Sequence, residues 1–370
     1  MTILQILPRV PPAICGIGDY SWRLAQALRD EQGIHSSFLS AGTSWTEPAQ
    51  RTEFPVFRLA QLRAQTLVDF IAKSSVKYQA IVLHMSPYGY QKRAVPLWLA
   101  NGWKQISNLG NRPILFTMFH ELYASGSIRT SAFWLKPVQK MVLRSVALAS
   151  DVLRTNRMDY AKWLKKLTDV QADDVLAMPV FSNFGEPAAL PRFTTRPAAM
   201  VIFGWGIHSG ESLDSVIRKA CTHCEHFGLT TLHIIGGGHV TVHPPHSVTL
   251  VRHGFLSPEA VSAILLNCRM AYTAYSADHF GKSTLMAAFA AHGLAVVVQG
   301  KGPILPDGLE DQRNVINERS LIDEGYPNEA KLGEIGESLH LWYSGHSLTR
   351  NAASFAAQLK KQNRRFHTEH

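Results

Sequence analysis

Short apolar runs alternate along the chain with longer segments in which apolar residues recur at helical spacing. The runs TILQIL (2–7), HSSFLS (35–40), AIVLHM (80–85), PILFTMF (113–119) and VLRTN (152–156) read as strands. YSWRLAQALRD (20–30), VPLWLANGWKQIS (95–107) and FWLKPVQKMVLRSVALA (133–149) read as helices between them. The stretch SNFGEPAALPRFTTRP (182–197) is rich in proline and polar residues and reads as a linker. Alternation then resumes. AMVIFGW (199–205), TLHIIGGG (231–238), SVTLVRHGF (247–255), RMAYTAY (269–275) and LAVVVQ (294–299) are the strand-like runs. Helices are expected at 211–227, 257–268 and 283–292, and a last one near 347–362. Strands alternating with helices predict an α/β protein with parallel sheets. The expected division is a Rossmann-like domain over 1–185, the linker 182–197, a second Rossmann-like domain over 198–345, and a helical segment 346–370 returning to the first domain.

The bulk numbers agree with two ordinary cores. At 370 residues, 46% hydrophobic and 18% charged, the chain is globular and too long for one typical domain. MTILQILPRV reads as a first strand, without the basic start of a signal peptide. No apolar run is long enough to span a bilayer. A cytoplasmic protein is expected, with peripheral contact at the inner face of the membrane left open. Four cysteines (Cys15, Cys221, Cys224, Cys268) are too few for a disulfide framework. Cys221 and Cys224, with His223 and His226, suggest a metal site, but they continue a helical run and no second cysteine pair follows. Ordinary helix residues are the expected reading. The net charge of +9 favours an anionic partner. Its basic residues are dispersed and no nucleic-acid-binding motif is present, so a nucleotide is expected and a nucleic acid is not.

Three segments carry candidate chemistry. In the first strand–helix loop, PPAICGIGDY (11–20), Gly16 and Gly18 would let backbone N–H groups approach an anion at a helix start, or make a tight turn only. At the C-terminal ends of two probable strands lie His84, Ser86 and Tyr88, and His120 and Glu121. In open α/β sheets that edge faces the ligand. The third segment, AYSADHFGKSTLMAAFAAHGLAVVV (274–298), places Asp278 after a strand, Phe280-Gly281 in a turn, and Lys282-Ser283-Thr284 at a helix start. That helix start offers free N–H groups and a positive dipole to a phosphate, and Lys282 adds a full charge. The plainer reading makes Ser283 an N-cap and Lys282 a solvated side chain.

The order of these pieces resembles the GT-B glycosyltransferases, especially the large retaining family 4. Asp278 falls on the first Glu of that family's donor-binding signature, and Phe280-Gly281 on its Phe-Gly. The Gly16–Tyr20 loop is similar to its first loop, His120 to its histidine in the N-terminal domain, and Gly236-Gly237-Gly238 to its Gly-rich turn. The resemblance implies two Rossmann-like domains facing each other across a cleft, and a retaining, metal-independent transfer without a cofactor. His120, Asp278 and Lys282 would then be catalytic. Gly16, Gly18, Gly204, Gly237, Arg252, Phe280, Gly281, Ser283 and Thr284 would bind the donor. His84, Tyr88 and Glu121 would lie on the acceptor side. The chain departs from the family in two places. Met286 replaces the second Glu, so Met286→Glu is expected to fit and to restore a ribose acceptor. The segment Phe203–Gly210 lacks the Arg and Lys that hold the diphosphate, leaving Lys282, helped by Arg252, to replace them.

The expected function is therefore transfer of a hexose-type sugar from a nucleotide diphosphate donor to a saccharide or lipid-linked acceptor. Another GT-B enzyme, an epimerase or a phosphorylase, is the first alternative. A non-enzymatic binding or partner subunit, favoured by Met286 and the missing clamp, is the second.

Overall fold

The computed structural model describes residues 1–13, 15–43, 53–123, 131–168, 175–204, 211–300 and 302–368. They divide into two compact units, Met1–Met178 with Leu348–His370, and Pro179–Ser347.

The first unit runs β1 (Thr2–Leu7), α1 (Gly16–Gln32), β2 (His35–Ser40), β3 (Val56–Arg58), α2 (Ala64–Ala72), β4 (Ala80–Met85), α3 (Pro87–Tyr90), α4 (Leu97–Ser107), β5 (Ile114–Phe119), α5 (Ser131–Leu148), β6 (Val152–Thr155), α6 (Met158–Thr168) and β7 (Val175–Ala177). Its strands form one parallel sheet in the order β3-β2-β1-β4-β5-β6-β7. All residues of β4 and β5 are buried, because helices cover both faces of a parallel sheet. Leu83, Trp103, Leu115 and Phe119 anchor the core on one face.

The second unit runs β8 (Ala199–Phe203), α7 (Leu213–His226), β9 (Thr231–Ile235), β10 (Thr249–Gly254), α8 (Pro258–Leu266), β11 (Met270–Ser276), α9 (Thr284–Ala291), β12 (Ala295–Gln299), β13 (Ile316–Asn317), α10 (Glu318–Asp323) and α11 (Glu329–Ser344). Its sheet is parallel too, in the order β10-β9-β8-β11-β12-β13. Each sheet reverses its order beside its own first strand, between β1 and β4 and between β8 and β11. Ligands of open α/β sheets bind at such points, outside the C-terminal strand ends.

The last helix, α12 (Leu348–Thr368), belongs to the first unit. Ala352, Phe355, Ala356 and Leu359 recur at helical spacing and are all buried. Phe355 stacks on Phe116 of β5 at 4.3 Å. Arg154 of β6 reaches the same helix from the core. Its guanidinium donates to Ser354 Oγ at 2.9 Å, Gln358 Oε1 at 3.0 Å and Asn351 Oδ1 at 3.1 Å. It is fully buried, and burial pulls its pKa down.

The Pro-rich stretch 182–197 carries a single 3-10 turn (Phe193–Thr195) and lies within the second unit. Ser182 N–H donates to Tyr343 Oη at 2.9 Å. Phe184 stacks on Phe203. Buried Arg196 donates to the carbonyls of Cys268 and His292. Among the described residues, no helix is long and apolar enough to cross a membrane.

Glycine is required in the first turn of α1, where the loop after β1 passes close by. A Cβ on Gly18 would stand 2.7 Å from the Arg9 carbonyl oxygen. Pro8 fits against two further glycines that the sequence pattern does not single out. A Cβ on Gly42 or Gly89 would lie 2.2 Å from its carbonyl oxygen or 2.4 Å from its ring. At Gly16 a Cβ would meet nothing within 4 Å. Gly18→Ala should therefore cost about 1–2 kcal/mol of stability, overpacking outweighing the gain in helix propensity. Gly16→Ala should cost nothing or add slightly. Urea unfolding of both variants checks the contrast.

Candidate active site

In the first unit the candidate residues converge on the ends of β1, β4 and β5. Gly16 and Gly18 open α1, whose N-cap Cys15 supplies no side-chain cap. Asp19 lies in the first turn, and burial pushes its carboxyl up to about 6, with Arg23 pulling the other way. His84 ends β4 one residue early, and His120 follows β5 directly. In parallel register His84 faces Met118. The His120 N–H donates to the Met85 carbonyl at 2.9 Å, which fixes the turn out of β5.

The two imidazoles meet. His84 Nδ1 lies 3.0 Å from His120 Nε2, and His84 Nε2 lies 2.8 Å from Gln5 Oε1. Gln5 Nε2 donates to Ser36 Oγ at 2.9 Å. Tyr20 sets its ring edge-on to His120 at 5.0 Å and to His84 at 6.2 Å. Burial pushes His120 down to about 4, against a smaller upward pull from Glu121. Burial pulls His84 well below the ordinary histidine value, and His120 adds to the effect. Both rings are neutral at pH 7.

His84 was expected on the acceptor side. It is fully buried with both ring nitrogens engaged inside the unit, so its contacts are Gln5 and His120 rather than a ligand. His120 keeps 5% of its surface exposed. Glu121 accepts from Ser86 Oγ at 2.9 Å. Tyr88, in α3, is 44% exposed.

In the second unit the ends of β8, β9 and β10 are joined through backbone. Gly204 N–H donates to the Ile235 carbonyl at 2.8 Å, and Gly236 N–H to the Gly254 carbonyl at 2.6 Å. A Cβ on Gly204 would lie 2.8 Å from the Gly237 oxygen, so the two chains come this close only because residue 204 lacks a side chain. Arg252 is spent partly on holding this rim, donating to the Gly238 carbonyl at 3.0 Å. Positions 205–210, most of the segment that lacks the family's Arg and Lys, lie outside the described residues.

After β11 the chain makes a 3-10 turn, Ala277–Lys282, before α9. Asp278 and Lys282 lie on this turn, both partly buried. Ser283 is the N-cap: its Oγ accepts from the Met286 N–H at 3.2 Å. Thr284 is the first helical residue, and Gly281 offers its carbonyl to the Val180 N–H at 2.9 Å. Two expectations need correction. Phe280 is 1% exposed and packs by Tyr275, so its ring anchors the turn instead of meeting a ligand. Met286 is also 1% exposed, so Glu at this position would place a carboxylate in the core and could not serve a ribose.

Sequence reasoning missed several residues here. Gln5 is one, signalled by a polar residue in the middle of the apolar run TILQIL. Phe255 is another. It is 72% exposed at the end of β10, and its ring covers Gly237, where an added Cβ would lie 2.9 Å from it. A cavity of about 670 Å3 lies by α7 and α10, reaching the strand ends at Ser276 and Gln299, with Lys219, His223 and Tyr326 on its wall. Nothing in the sequence pattern announces it.

Cys221 and Cys224 lie on α7 in the core, as expected of helix residues. Cys224 Sγ is 3.9 Å from Met200 Sδ, and burial pushes both thiols up. Among the described residues, no group of three or more His, Cys, Asp or Glu is placed to hold a metal ion.

No protein-family model matches the sequence, and no curated protein does. Solved structures do match over nearly the whole chain. An alpha-glucosyltransferase in complex with UDP and a 13-mer DNA containing an HMU base aligns at a TM-score of 0.57 and 10% identity, covering 98% of this chain and 99% of that one. The apo lipopolysaccharide outer core galactosyltransferase WaaB aligns at 0.55 and 12%, covering 97% and 100%. The UDP-GlcNAc 2-epimerase from Neisseria meningitidis bound to UDP-GlcNAc aligns at 0.54 and 11%, covering 98% and 100%. Together with two parallel Rossmann-like sheets, these likenesses establish the GT-B glycosyltransferase fold. At such identities they speak for the fold alone.

Proposed function

We propose that this GT-B chain is a glycosyltransferase that moves a hexose-type sugar from a nucleoside diphosphate donor to a saccharide or lipid-linked acceptor. One observation carries the reading. At the point where the second sheet reverses, between β8 and β11, the chain leaves β11 through a turn bearing Asp278 and Lys282 and enters α9 at its capped N-terminus. A helix start at that edge suits an anion, and an ammonium beside it suits a diphosphate.

The chemistry follows from charge. Breaking the anomeric C–O bond leaves positive character on the sugar and negative charge on the departing diphosphate. The N–H groups of α9 and the Lys282 ammonium stabilise that negative charge as it develops. With no metal needed for this step, the leaving phosphate itself takes the acceptor's proton and the anomeric configuration is retained. Asp278 accepts from donor-sugar hydroxyls, and His120 contacts the donor sugar. Phe255 offers an exposed aromatic face to the base.

His120→Ala should lower turnover about tenfold, or roughly 1.4 kcal/mol in the barrier, with little change in nucleoside diphosphate affinity. Equal losses in both would move His120 to the nucleotide. Phe255→Ala should weaken nucleoside diphosphate binding about tenfold, the worth of one stacked base, and unchanged affinity would remove it from the site. The reading itself is tested by incubating the protein with UDP-, GDP- and ADP-sugars and a panel of saccharide and lipid-linked acceptors. Release of nucleoside diphosphate with a glycosylated product of retained configuration is expected. Binding without turnover would favour a partner subunit. Isomerised donor without transfer would favour an epimerase.

A further inference from the structure

The buried chain Ser36–Gln5–His84–His120 runs from the middle of the first sheet to its C-terminal edge, and every link is a hydrogen bond of 2.8 to 3.0 Å. Each link constrains the next. The Gln5 amide gives its N–H to Ser36 Oγ, so its oxygen faces His84 Nε2. An amide oxygen only accepts, so the proton on that contact belongs to His84 Nε2. A neutral imidazole carries one N–H, which leaves His84 Nδ1 as a bare acceptor toward His120. The proton in the 3.0 Å contact must then sit on His120 Nε2, and His120 Nδ1 is left with its lone pair. No described residue bonds that nitrogen, and His120 alone of the two rings keeps exposed surface. Tyr20, edge-on to both rings, holds their planes.

We propose that Gln5 and His84 are positioning residues that lock His120 in the Nε2–H form, so that it presents Nδ1 outward as a hydrogen-bond acceptor for a hydroxyl of the donor sugar. The lock rests on the geometry of the first unit; the hydroxyl as its ligand rests on the transferase reading. An imidazole free to choose its tautomer would present a donor part of the time and lose the hydroxyl contact. A phenylalanine at position 84 could fill the same space yet could not choose the tautomer. The role is thus distinct from packing.

The test reads the tautomer directly. Nitrogen-15 labelling of histidine, with the His120 signals assigned by their loss in His120→Asn, distinguishes a bare Nδ1 from a protonated one in the unliganded full-length protein. The wild type should show Nδ1 bare and Nε2 protonated. Gln5→Leu and His84→Phe should give mixed or inverted tautomers, and Ser36→Ala, the mildest change, a partial shift. Where donor turnover is measurable, Gln5→Leu should lower kcat about tenfold with nucleoside diphosphate affinity unchanged. A protonated Nδ1 in the wild type would overturn the proposal, as would a His120 tautomer indifferent to all three substitutions. The spectrum needs no substrate. A protein inactive on every donor would therefore sink the transferase reading and leave the lock decided separately.

Discussion

Replacing Lys282 with alanine should slow sugar transfer on the order of a hundredfold. A helix N-terminus supplies about half a unit charge, and a leaving diphosphate carries more than that. Lys282 ends the turn before α9, one residue ahead of the cap Ser283. A cation there is worth roughly 2–4 kcal/mol in the transition state of a dry site, and a hundredfold is about 2.7 kcal/mol. Lys282→Arg should recover part of the rate, because it restores charge with a different donor geometry. Nucleoside diphosphate affinity should fall less than the rate, since the leaving group gains charge only as the bond breaks. Steady-state rates and equilibrium binding for the three proteins check this. Unchanged values in Lys282→Ala would remove the residue from the site.

Acidification should destabilise the second unit steeply between pH 6.5 and 4. His292 and His346 are both pulled by burial from 6.5 to about 4. His292 Nδ1 donates to the Ala288 carbonyl at 2.7 Å, and its Nε2 lies 2.8 Å from Ser262 Oγ. His346 Nδ1 donates to the Val180 carbonyl at 3.2 Å. Below pH 6.5 the unfolded chain binds protons that the folded chain refuses, so stability present above 6.5 is lost until the folded groups titrate near 4. Each histidine is worth about 2 kcal/mol between pH 7 and pH 5, about 4 kcal/mol for the pair. In the first unit His120 and His84 act in the same direction, but Asp19 opposes them. Its carboxyl, raised from 3.8 to about 6, adds stability on the acid side that disappears as the pH rises through 6. Urea unfolding at pH 7 and 5 should show the loss, and His292→Gln should roughly halve it in the second unit. Equal stability at the two pH values would contradict the burial of these rings.

Much of the fold was legible because both sheets are parallel and buried. β1, β4 and β5 each stand out as a compact apolar run, and the turns around them carry glycine or proline. The elements that escaped include two short edge strands and the helices α2, α6 and α11. Val56–Arg58 and Ile316–Asn317 have too few residues to show a period, and α11 has its apolar residues spread among glycines and charges. At the site, the strand-end histidines and the Lys282–Thr284 helix start could be read because topology alone puts them on the ligand edge. What they touch could not. A histidine one residue before the end of an apolar run looks the same whether it faces substrate or, like His84, a glutamine 79 residues away in the chain. Gln5, Gly42 and Gly89 matter through partners distant in the chain, and Phe255 matters through exposure that no periodicity encodes. Met286 shows the reverse error. Its place in a sequence signature suggested a ligand, while its place on α9 points it into the core.

Equilibrium binding of UDP, GDP, ADP and their sugars to the wild-type protein, followed by thermal unfolding, tests the central claim most directly. A ligand that binds only the folded state at a hundred times its Kd stabilises it by about 2.7 kcal/mol. One nucleoside diphosphate and its sugars should raise the melting temperature, and Lys282→Ala should weaken that shift. A melting temperature indifferent to every nucleotide at millimolar concentration would contradict the assignment of a nucleotide-sugar donor to this chain.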